Sequence, residues 1–224
     1  MATDSEVSAM NTKQMDATTS LRGGGATVVF YEDFSNGLDG NNGIGAMSAD
    51  DTGGGLIWQF VDPAGDGYYA DGSASGVQPP AGEFSGNIGT LSSTSADNGW
   101  MVFDCDYYNT PISSGVEDTE GTLELPTLDL TSLNSVVLEY EQYFRYCCYN
   151  MTPLYVEVSN DGGGTWVSFE AHGDFIPSAN SASANAMTTT LDISCVAAGE
   201  AAVQIRFAYR QNPLVGDSYS HYYW

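Results

Sequence analysis

The chain has 224 residues, enough for one all-β domain with a sizeable core or for a domain plus a tail. Its 29 Asp and Glu against 5 Lys and Arg leave a formal charge of −24, which repels a phosphate backbone or an anionic membrane surface and excludes nucleic acid as a partner. With 42% hydrophobic and 12% aromatic residues the chain is too apolar for an acidic solvating tail, and 26 glycines with only 15% charged residues favour short strands and tight turns over helices.

No run reaches the roughly eighteen apolar residues of a membrane span, and residues 1–25 lack the apolar stretch of a secretory signal, so no membrane insertion is expected. Four cysteines without a Cys-x-x-Cys pair suit an oxidising compartment better than a zinc site or redox motif. The expected location is therefore extracellular or at the cell surface, with the export signal outside this sequence.

In chain order, residues 1–26 read as a disordered leader or linker ending in Gly23-Gly24-Gly25, and residues 27–224 as the folded domain. Residues 27–34, rich in β-branched and aromatic side chains, predict the first strand, closed by the turn Ser35-Asn36-Gly37. Between Gly37 and Asn98 only residues 56–61 predict a strand, and the rest is a long Gly/Ser/Asp-rich excursion. Residues 99–106 predict a strand ending in acids. Residues 121–125 and 128–133 predict two more, broken by Pro126.

Alternation is clearest in residues 135–146, with Val136, Leu138, Tyr140 and Phe144 on one face and Glu139, Glu141, Tyr143 and Arg145 on the other. Residues 154–159 repeat it with Leu154, Val156 and Val158 inward, and a return strand at residues 165–170 makes a hairpin. Strands at residues 188–193 and 202–210 follow, the last with Val203, Ile205, Phe207 and Tyr209 inward. Nothing longer than a turn has a helical period. The expected fold is all-β, a two-sheet antiparallel jelly-roll sandwich with Leu138, Tyr140, Phe144, Val156, Val158, Trp166, Val203, Ile205 and Phe207 in its core.

The hairpin turn Ser159-Asn160-Asp161-Gly162-Gly163-Gly164-Thr165-Trp166 matches the Asp-box pattern Ser-x-Asp-x-Gly-x-Thr-Trp. Asp161 can accept hydrogen bonds from the turn's own amides, glycines such as Gly163 supply positive φ, and Trp166 packs beneath. Its expected role is structural, because a single copy does not make a repeated-blade propeller.

Five segments in order carry a family resemblance: Phe30-Tyr31-Glu32-Asp33-Phe34-Ser35-Asn36-Gly37, residues 98–106, residues 123–130, residues 138–166 and Val203-Gln204-Ile205-Arg206-Phe207. Together they resemble the jelly-roll, MAM-like or concanavalin-like domains of secreted Bacteroidota surface proteins. The resemblance implies a non-catalytic, exported sandwich used in adhesion or as an accessory module. Such domains usually end in an apolar strand with paired acids. That closing strand is missing here, so continuation beyond Trp224 or a strand supplied by another chain is expected to cover the edge.

Calcium is the cofactor the residue types favour, since hard cations take several carboxylate and carbonyl oxygens at about 2.3 to 2.6 Å. Glu32, Asp33, Asp104 and Asp106 lie at predicted strand ends, and alternation puts Asp104 and Asp106 on one face with Cys105 opposite. The resemblance implies a structural cation near the first strand with Glu32 or Asp33 as ligands. In the resembling domains the acids usually flank a Ser rather than a Cys, which implies a lineage-specific disulfide at Cys105. Four cysteines allow three connectivities; Cys147 and Cys148 are adjacent and would close a strained ring, so Cys105 and Cys195 are each expected to bond to one of that pair.

Catalysis finds little support. Glu117-Asp118-Thr119-Glu120 lacks the spacing of a laminarinase-like Glu-x-Asp-x-x-Glu strand, and His172 and His221 fall in predicted loops where a surface histidine is ordinary. Aromatic residues are the remaining clue. Tyr68, Tyr69, Tyr107 and Tyr108 fall in predicted loops or at strand ends, where exposed rings can stack on sugars or fill a protein interface. The expected function is a non-catalytic, calcium-supported adhesion module for a glycan or surface protein. The alternative is a structural subunit of an adhesin or filament, with copies of itself as partners.

Overall fold

The computed structural model describes residues 27–40, 45–51, 58–62, 91–105, 120–146, 154–173, 175, 178, 180–210 and 221–224. The chain divides into two units, residues 1–31 and 32–224. In the first, Val28, Val29 and Tyr31 are exposed. Residues 27–34 form no strand, which corrects the expectation of a first strand there. β-propensity expresses the fit of a side chain to a pleated, half-buried surface, and Val28, Val29 and Tyr31 stay exposed. Beyond them the carboxylates of Glu32 and Asp33 accept the N–H groups of Phe34 (2.7 Å) and Ser35 (3.0 Å), and Phe34 takes a left-handed φ of 59°. These local bonds favour a turn over a ladder.

In the second unit, one sheet has five antiparallel strands: β1 (Ser48–Asp50), β4 (Gly121–Glu124), β10 (Gln204–Tyr209), β7 (Tyr155–Ser159) and β8 (Val167–Glu170), in that spatial order. The register Phe207↔Leu123 and Phe207↔Val156 sets the apolar parity of three strands on one face. β1 was not foreseen, because Ser-Ala-Asp holds no β-former, and it pairs as a polar edge.

The opposing layer is assembled from two-stranded ladders. β5 (Val137–Gln142) pairs over six residues with β9 (Met187–Asp192). Its continuation β6 (Arg145–Tyr146) pairs with β11 (His221–Tyr223) on one side and bridges Ala182 on the other. β2 (Gln59–Val61) pairs with β3 (Trp100–Val102). Phe103 and Trp224 then exchange both backbone hydrogen bonds, at 2.6 and 2.9 Å, which joins the end of β3 to the end of β11. Residues 221–224 therefore have ladder contacts to β6 and to Phe103.

Aromatic rings fill the space between the layers. Phe103 stacks on Tyr209 with centroids 4.6 Å apart, Trp224 meets Trp58 at 5.1 Å and Phe207 at 5.7 Å, and Tyr140 meets Phe207 edge-on at 5.0 Å. The protein is an all-β sandwich. A four-residue α-helical turn, α1 (Ser194–Ala197), follows β9.

Several expectations are corrected in detail. Residues 128–133 supply only one bridge, Leu128 to Val203, because Asp129 draws the N–H and hydroxyl of Thr131 into a turn at 3.0 and 2.6 Å. Leu138, Tyr140, Trp166 and Phe207 are half-buried rather than core. The strand predicted over residues 99–106 is assigned only at Trp100–Val102. Phe103, Asp104 and Cys105 are all buried in succession, so side-chain alternation does not extend past the pairing with Trp224.

Candidate functional site

The β7–β8 turn is built by its own side chains. Ser159 Oγ donates to Asp161 Oδ1 (2.7 Å) and accepts from Gly163 N (2.9 Å). The two carboxylate oxygens of Asp161 accept from the N–H and the hydroxyl of Thr165, at 2.9 and 2.8 Å. Gly163 has φ +86°, and a Cβ there would lie 2.9 Å from Gln204 Oε1. The indole of Trp166 turns back beneath the loop, Nε1 donating to Gly163 O at 3.1 Å. Hydrogen bonding from the Thr165 amide, then from the Ser159 and Thr165 hydroxyls, lowers the Asp161 carboxyl to about 2.

This sets the sign of a pH effect. A depressed folded value contributes stability above the unfolded carboxyl's value of about 3.9 and loses it as the pH falls toward 2. Asp161→Ala is therefore expected to lower the thermal midpoint at pH 7 and to cost much less at pH 2, which paired calorimetric scans will show.

The turn stands at one end of a polar surface on the face of the five-stranded sheet opposite the aromatic core. Glu157 of β7 lies opposite Arg206 of β10 in the ladder, and its Oε2 accepts Arg206 Nε at 2.6 Å and Arg210 Nη2 at 2.9 Å. Two of the five basic residues of a chain of charge −24 thus converge on one carboxylate. The Glu157 side chain is 9% exposed, while the arginines keep 20% and 23%. The Arg206 guanidinium also lies 3.7 Å from the Trp166 ring centroid, a cation–π contact. Gln204 donates to Glu124 of β4 at 2.8 Å.

The surface therefore offers two guanidinium planes, an amide and a half-buried indole on a rigid ladder. Each guanidinium carries five fixed N–H donors. Sequence reading placed Gln204 and Arg206 at the outward parity of β10 and Glu157 at that of β7. Only the register between the strands brings them together.

The other predicted residues are placed as follows. Glu32 and Asp33 bond their own turn, and Asn98 Nδ2 donates to Asp33 O at 2.9 Å. Asp104 is buried, and Asp106 lies outside the described residues. Among the described residues no three His, Cys, Asp or Glu side chains converge as a metal site. Cys105 is buried and Cys195 is exposed on α1, and they are not bonded to each other; Cys147 and Cys148 lie outside the described residues, as do Tyr68, Tyr69, Tyr107 and Tyr108.

His172 and His221 correct the expectation of surface histidines, for both are buried, with ring centroids 5.1 Å apart. Phe169 and Phe175, each three residues from His172, and Tyr222 beside His221 are the available hint in the sequence. Their burial comes from β11 and the turn after β8 meeting on Phe144, a contact remote in sequence.

No family model matches the chain, and no curated protein matches it. Among solved structures it is similar to the K1 cleaved adhesin domain of Lys-gingipain from Porphyromonas gingivalis W83, at 17% identity and a TM-score of 0.30, over 80% of this chain and 93% of that one. Among the described residues no helix is long and apolar enough to cross a membrane.

Proposed function

We propose that the protein is a non-catalytic, extracellular adhesion module that binds a glycan through the polar face of its five-stranded sheet. The observation that carries this reading is the convergence of Arg210 and Trp166 on the Glu157–Arg206 pair of the adjacent strands β7 and β10. Planar donors and acceptors held on a ladder match the vicinal hydroxyls of a sugar, and an aromatic ring beside them adds apolar contact. Calcium is proposed as a support of the loops that carry Glu32, Asp33, Asp104 and Asp106, not as a reactant.

A second reading, a structural subunit that packs against copies of itself, is favoured by one observation: Val28, Val29 and Tyr31 are exposed together in a strand-forming sequence. A glycan array and light scattering, each with calcium and with chelator, separate the two. Saturable sugar binding by a monomer is the expected result, weakened by chelator. Calcium-dependent oligomers with no sugar retained would replace the first reading by the second.

A further inference from the structure

His221 opens β11, paired to Tyr146 of β6, and His172 lies in the turn after β8. His172 stacks on Phe144 with centroids 4.0 Å apart and planes 17° apart, while His221 meets the same ring edge-on at 5.7 Å. Phe175 closes on Phe144 at 5.9 Å. His172 is 7% exposed and His221 fully enclosed, and His172 Nε2 has no hydrogen-bond partner among the described residues.

Two phenols pack on His221. Tyr146 comes from β6, its ring 5.5 Å from His221 and its phenol raised by burial. Tyr209 comes from β10, and its hydroxyl holds the N–H and the carbonyl of His221, each at 3.1 Å. The raised phenol of Tyr146 is neutral from pH 4 to 8. The charges of Arg145 and Asp104 bear on Tyr223, the third residue of β11.

We infer that the His172–His221 pair is an acid-operated latch for the C-terminal strand, two neutral imidazoles packed together whose protonation unseats β11 from β6 and from Phe103. Burial disfavours a charge on either ring, and charges on both repel at 5.1 Å. The element at stake is short. β11 has three residues, and its register with β6 shifts between His221 and Tyr223, so it can open at lower cost than the six-residue ladder of β5 and β9.

The direction follows from burial. It lowers His172 to about 4 and His221 well below the usual imidazole value, the neighbouring His172 adding to the latter. A released histidine titrates near 6.5. The open form therefore binds more protons as the pH falls below about 6.5, and the ratio of open to closed rises up to about tenfold per pH unit for each histidine, or a hundredfold for the pair. Above that pH the latch stays shut. Opening would uncover Tyr223, Trp224 and the ladder amide of Phe103, an unpaired apolar edge.

Hydrogen exchange on the full chain between pH 7.5 and 4.5, corrected for the intrinsic pH dependence of exchange, tests this. Opening of residues 221–224 is expected to rise steeply below pH 6.5 while residues 155–159 stay protected. His172→Phe, which keeps the stack on Phe144, should cut that slope to about tenfold per unit or less. A pH-independent rate at residues 221–224, simultaneous opening of both segments, or an unchanged slope in the variant would overturn the latch. The wild-type comparison of the two segments decides even if the variant does not fold.

Discussion

Trp224→Ala is expected to be among the most damaging single changes in the chain, costing about 3 to 5 kcal/mol. The indole is 5% exposed and wedged between Trp58 and Phe207, so its removal leaves a cavity between the two layers. It also strips a partner from Gln142. That buried amide accepts Trp224 Nε1 at 2.8 Å and itself donates to Ala171 O and Thr189 Oγ1, both at 2.6 Å. An acceptor left unsatisfied in the interior adds to the cavity cost. Urea unfolding at neutral pH checks the figure. Trp224→Phe removes the N–H with only part of the ring volume, and is expected to cost less than the alanine change, about 1 to 3 kcal/mol.

Glu157→Ala should destabilise the sheet by about 2 to 4 kcal/mol, somewhat below the usual cost of breaking a buried ion pair because both arginine side chains keep about a fifth of their exposure. The loss comes less from a missing attraction than from two guanidinium groups left facing each other over β7 and β10. Removing the cause should remove the effect. In the double variant Glu157→Ala with Arg206→Met the cost is expected to fall below the sum of the single changes, as a double-mutant cycle by chemical denaturation measures. Additive costs would mean that Glu157 matters through packing rather than charge.

The parts of the fold legible in the sequence are those where local chemistry and the global arrangement agree. β7 and β10 turn large apolar side chains inward at alternate positions, and the turn at Ser159–Trp166 is specified by hydrogen bonds within its own eight residues. Legibility fails where a side chain's environment is set by distant chain. Residues 27–34 have the composition of a strand but no ladder, while Ser48–Asp50 has a ladder and no such composition. Phe103, Asp104 and Cys105 break the alternation because Phe103 pairs with Trp224, more than a hundred positions on. The polar face is legible only as outward parity, since nothing in β7 or β10 alone fixes Glu157 opposite Arg206. The histidines were misread for the same reason: a histidine in a loop is exposed until another strand covers it.

The glycan-binding claim is tested most directly by running the glycan array, in calcium, with the wild-type chain and Arg210→Ala side by side. Arg210 is at the exposed end of the Glu157 network, and Arg206 remains on the carboxylate when it is removed, so the fold should persist while one guanidinium plane is lost. The account predicts saturable binding of a glycan by the wild type and at least a tenfold weaker response from the variant at an unchanged oligomeric state. Equal binding by both, or no sugar retained by either, would contradict it.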